Sequence, residues 1–132
     1  SLGQKRVLAL LPNAYMQGHT AGVNMAGGNE IFDKAIPMNS IGFFGLHIMT
    51  AGTYEGEMYE EKTDSTLKRL FTKDGLLKGF ILIGKTERAG IYTSLIREKI
   101  PLDTIDFETM KKVATSVAFS PENRRKKFGG VV

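Results

Sequence analysis

TLKRLFTKDGLLKGFILIG, running from Thr66 to Gly84, decides the fold. It consists of two β-prone runs, Thr66 to Lys73 and Leu76 to Gly84, joined by Asp74-Gly75, the dipeptide best suited to the positive φ angles of a two-residue hairpin turn. The second arm ends in Phe80-Ile81-Leu82-Ile83, apolar on both faces, which predicts a central strand covered on both sides. Upstream, Ile41 to Thr50 (IGFFGLHIMT) is dense in β-branched and aromatic residues and ends at Ala51-Gly52, so it reads as one largely buried strand. Met58 to Lys62 is a shorter, polar strand suited to a sheet edge. Between Asn29 and Asn39 lies a linker-like stretch containing Pro37.

Downstream of Gly84 the hydrophobic period changes. Glu87 to Lys99 places Ile91, Tyr92, Leu95 and Ile96 on one face, the pattern of a helix covering a sheet, and Pro101 ends it. A second, shorter helix is expected within Asp106 to Ser116, where Phe107, Met110, Val113 and Ala114 recur at helical spacing. Ser120-Pro121 offers a cap and first turn for a last basic segment stopping at Gly129-Gly130. The sum is an α+β arrangement: an antiparallel sheet of about four strands covered by two or three helices.

At the other end, Ala14, Gly18, Ala21, Gly22 and Met25 fall on one face of a helix. Pro12 suits its first turn, Asn13 can cap it, and Gly27-Gly28 supply a stop where left-handed backbone is cheap. A face of Gly and Ala permits close approach, either by the sheet or by a flat ligand.

The chain of 132 residues suffices for one compact domain. With no cysteine it carries no disulfide, thiolate metal site, thiol nucleophile or redox dithiol, and two histidines are too few for a histidine-based zinc centre. Eighteen Lys and Arg against fourteen Asp and Glu leave a net charge of +4, but much of the excess sits in Arg124, Arg125, Lys126 and Lys127. Such a run reads first as a solvated tail. Nucleic-acid binding through that tail stands as the alternative function, against which the mixed charge of the middle argues. No stretch reaches the roughly 20 apolar residues of a membrane span, and no secretory signal is evident, so a cytoplasmic location is expected.

The search for chemistry finds little. Gly79 to Thr86 formally fits G-x-x-x-x-G-K-T, but its four intervening residues are a strand core, whereas a phosphate cradle must be a loop with converging amides. Glu55, Glu57, Glu60 and Glu61 are spaced as solubilising charges along an edge strand. His47, amid strand residues, reads as a packing residue rather than a catalyst. No catalytic or metal-ligating set emerges.

Two segments carry a resemblance. LLPNAYMQGHTAGVNMAGG, Leu10 to Gly28, resembles the helix near the end of the FAD domain in pyridine nucleotide-disulfide oxidoreductase family flavoproteins of the rubredoxin reductase, NADH oxidase and nitrite reductase large subunit type. IPMNSIGFFGLHIMTAG, Ile36 to Gly52, is similar to their next pattern, a Pro-x-Asn step leading into a strand that closes on Ala-Gly. The resemblance implies that residues 1–30 are the terminal helix and linker of an upstream FAD-binding domain, and residues 31–132 a C-terminal interface or dimerisation domain. The parent would pass electrons from NAD(P)H through FAD to an acceptor, with this part structural and not catalytic alone. Its implied partners are the upstream FAD- and NAD-binding domains and a second copy of the protein. By position, Pro12, Asn13 and Gln17 would be the flavin-side residues, a helix N-terminus offering free amides and positive potential; the alternative that Pro12 and Asn13 only cap stays open. The sequence departs from disulfide reductases in lacking the C-terminal His-x-x-x-x-Glu-type pair that they use with a dithiol, so thiol-disulfide exchange is not implied.

Overall fold

A computed structural model describes residues 10–119. Helix α1 spans Leu11–Met25, and five strands follow: β1 Met38–Phe43, β2 Leu46–Gly52, β3 Glu57–Lys62, β4 Leu67–Lys73 and β5 Leu76–Ile83. Helices α2, Ala89–Arg97, and α3, Phe107–Lys112, complete the described chain with two short 3-10 turns. All neighbouring strands are antiparallel, in the order β1-β2-β5-β4-β3, so β5 is central and the fold is α+β. The expected final turn from Ser120 and the tail Arg124 to Lys127 lie outside the described residues.

The fifth strand comes from a turn that the sequence conceals. Ile41 to Thr50 is not one buried strand but the hairpin β1–β2, because Phe44 (φ 46°) and Gly45 (φ 81°) both adopt left-handed backbone. Nor is it largely buried: Phe43 is 67% and Phe44 95% exposed. The expected hairpin at Asp74-Gly75 forms with the same pair of positive φ angles, 55° and 68°.

One face of the sheet carries the core. Ala51, Phe80 and Leu70 lie side by side across β2, β5 and β4, and Tyr92, Leu95 and Ile96 of α2 and Met110 of α3 pack over them. A bulge sustains this arrangement. Phe71 pairs with Gly79 but Thr72 with Leu77, leaving Lys78 as an extra residue that returns Leu77 to the face of Phe80 and Leu82. The Lys78 carbonyl accepts the N–H of Thr53 at 2.9 Å, so the end of β2 is laced onto the bulge.

The opposite face corrects the expectation that β5 is covered on both sides. Register aligns Ile41, Ile48, Ile83 and Leu67 in one aliphatic row across four strands, and all four are half-buried or exposed. Among the described residues no helix covers this row. The edge strand β3 behaves as expected of a solvated charged strand: Glu60 pairs with Arg69 at 2.6 Å and Glu61 with Lys68 at 3.0 Å.

Tyr92 fixes α3 to α2 by donating its hydroxyl to the Met110 carbonyl at 2.7 Å. Burial, with a smaller contribution from the Glu61 charge, pushes this phenol up to about 12 from an ordinary 10.0. The folded state thus keeps a proton that the unfolded chain releases, so the stabilisation is complete below pH 10 and is lost as pH rises towards 12. Two units correspond to about 2–3 kcal/mol. Tyr92→Phe is expected to cost about 1 kcal/mol at neutral pH, through the unpaired Met110 carbonyl. It should also shrink the loss of stability between pH 9 and 12, measured by urea unfolding across that range.

Candidate functional site

The N-terminal helix owes its ends to local sequence. Leu10 is the N-cap, in extended conformation and without a side-chain cap, and Pro12 sits in the first turn as expected. Asn13 does not cap. It lies inside the helix and is fully buried, its Nδ2 donating to the Ile36 carbonyl at 3.0 Å. At the C-terminus Gly27 takes φ 95°, Gly27 N–H returns to the Asn24 carbonyl and Gly28 N–H to the Val23 carbonyl, a Schellman stop. A Cβ on Gly28 would meet Val23 Cγ1 at 2.5 Å, so the second glycine is sterically required.

Two asparagines tie α1 to the chain that follows. Asn13 holds Ile36 at the edge of the core, and Asn24 makes a double bridge to Glu30, donating to its carbonyl at 2.9 Å and accepting its N–H at 2.6 Å. The Asn24 bridge escaped the sequence reading, since a lone Asn near a helix end signals only turn preference. Beyond these ties α1 makes no broad contact with another strand or helix among the described residues. Leu11, Tyr15 and Met25 are 80% exposed or more, and space is open around Gly18 and Gly22. The small-residue face therefore does not pack on the sheet. Between α1 and residues 30–34 lies an open hollow of about 380 Å³, bordered by Tyr15, His19 and Phe32.

Of the three residues expected on the flavin side, Pro12 and Gln17 are exposed, while the Asn13 side chain turns inward to Ile36. Its Oδ1 is buried with no hydrogen-bond partner among the described residues. His47 is exposed on β2 rather than packed in the core, and Gly79 to Ile83 of the P-loop-like octet are strand β5. Among the described residues no group of three or more acidic or histidine side chains could hold a metal, and no helix is long and apolar enough to cross a membrane.

Helix α1 is thus exposed on most of its described surface and tied near both ends to the chain that follows it. The chain is 35% identical over 109 residues, 76% of its length, to the epsilon subunit of NADH-dependent phenylglyoxylate dehydrogenase from Aromatoleum evansii. The similarity is therefore to one part of a subunit of an NADH-dependent oxidoreductase. The chain spans 26% of that subunit's length, and no family model matches it.

Proposed function

We propose that this chain is the carboxyl-terminal part of an NADH-linked flavoprotein subunit, with α1 completing an upstream FAD-binding domain and residues 31–132 forming an interface domain without chemistry of its own. The observation that carries this reading is α1 itself. A helix of fifteen residues whose large apolar side chains stand in solvent gains little stability from this chain, because helices in proteins are held chiefly by packing. Its exposed face has a role once a neighbouring domain lies against it. The relative's NADH-dependent dehydrogenase activity supports the assignment of chemistry to that neighbour.

The residues present suit a flavin. The first turn offers amide groups without intrahelical acceptors and no competing side-chain cap, and Gly18 and Gly22 leave room for a flat ring. FAD, when bound, would accept hydride from NADH and release electrons singly or in pairs. Pro12 and Gln17 would meet it from the exposed turns. Asn13 would act through its place at the helix start, its side chain fixing the helix to Ile36. The uncovered aliphatic row and the apolar β1–β2 turn would serve contacts with partner domains or a second copy.

The full-length gene product tests the reading. It is expected to purify yellow and to oxidise NADH with ferricyanide as acceptor, and Gln17→Ala should lower the flavin retained severalfold with an unchanged circular dichroism spectrum. A well-folded full-length product that is colourless and inert towards NADH would overturn it.

A further inference from the structure

Away from α1, an open cavity of about 270 Å³ lies on the helix-bearing side of the sheet, where β4 begins, α2 starts and α3 ends. Its apolar floor includes Leu82, Tyr92 and Ala114. Four cations line it, Lys68, Lys85, Arg88 and Lys112, against two carboxylates, Glu61 and Glu87.

These charges are not equivalent. Lys68 is spent: its three donors go to Glu61 at 3.0 Å and to the Lys111 and Lys112 carbonyls at 2.9 and 2.8 Å, which also neutralises the negative end of α3. Among the described residues the Arg88 guanidinium makes only a long approach of 3.5 Å to the Ala114 carbonyl. The side-chain ammonium groups of Lys85 and Lys112 make no hydrogen bond or ion pair among the described residues. Glu87 offsets one of these three, so two positive charges are left over, and Arg88, the N-cap of the nine-residue helix α2, sets the positive end of that helix beside the cavity. The field is felt nearby: Glu61 is held below the usual carboxylate range, chiefly by Lys68 with a contribution from Lys85.

We propose that this cavity binds a small organic anion, a carboxylate or phosphate group carried on a short apolar body. The excess cations supply the head-group site and the floor takes the body. A cavity of about 150 Å³ suffices for a benzene ring, so 270 Å³ accommodates a body of that size with an anionic group. Concavity and an apolar floor favour such a ligand over a flat acidic protein surface.

Titration of the 132-residue chain, followed by amide chemical shifts, tests this with hexanoate, pentyl phosphate, inorganic phosphate and hexanol. Hexanoate or pentyl phosphate is expected to bind saturably, at least about tenfold tighter than hexanol or inorganic phosphate, with shifts clustered at Lys85, Arg88 and Ala114. The tighter of the two names the head group. Lys85→Gln combined with Arg88→Gln, both exposed and outside the core, should weaken binding about tenfold or more with an unchanged circular dichroism spectrum. The proposal fails if neither amphipathic anion binds saturably, or if binding survives the double substitution. Neither result depends on whether the full-length protein holds flavin.

Discussion

Gly52→Val is expected to lower stability by at least about 3–4 kcal/mol, or roughly 10–20 °C in Tm. Gly52 has φ 77°, and a Cβ there would stand 1.9 Å from the Lys78 carbonyl oxygen and 2.8 Å from Gly79 Cα. Both obstacles are backbone atoms of the central strand, so neither can swing aside. The Lys78 oxygen is also committed to Thr53 N–H, and moving it would open the lacing that holds β2 on the bulge. Gly75→Val provides the control. Its φ of 68° also penalises valine, but nothing lies within 4 Å of the added Cβ. Differential scanning calorimetry of the two variants should show a clearly larger loss for Gly52; equal losses would mean that conformational cost, not close approach, governs both.

Phe80→Ala is expected to cost about 3–5 kcal/mol in urea unfolding. The ring is fully buried between Ala51 and Leu70 and lies 5.8 Å from the Tyr92 ring at a tilt of 48°. Its removal leaves a void at the junction of sheet and α2, where the backbone is held on both sides by strand pairing and cannot collapse. Phe44→Ala, at a ring 95% exposed, should change stability by no more than about 0.5 kcal/mol. Comparable losses at the two positions would contradict the placement of the core.

The two hairpins show how far the sequence was legible. Asp74-Gly75 announces its turn because both residue types tolerate left-handed backbone. Phe44-Gly45 makes the same turn with a bulky aromatic at the strained position, and there the apolar character of the run argued for an unbroken strand. Burial failed for the same reason: alternation cannot say whether the second face of a sheet is covered, and the row from Ile41 to Leu67 is apolar without being enclosed. Local signals did better at α1, where Gly27-Gly28 marked its end and Pro12 its first turn. The inward side chain of Asn13 depends on Ile36, 23 residues away, and no local pattern reports such a contact. The cations around the cavity are scattered from Lys68 to Lys112 and meet only in three dimensions.

The two borders of the sheet differ in a way that bears on how this chain behaves when handled alone. β3 presents Glu57, Glu60, Glu61 and Lys62 along its length, charges that repel an incoming strand. β1, Met38–Phe43, carries no charge and exposes Ile41 and Phe43. Growth of the sheet by strand addition is therefore blocked on one side and open on the other. Concentrated preparations of the isolated chain should therefore pair edge to edge through β1 and stop at two copies, since each pair then shows only β3 edges, and a lysine placed at Ser40 or Asn39 would be the smallest change that keeps them apart.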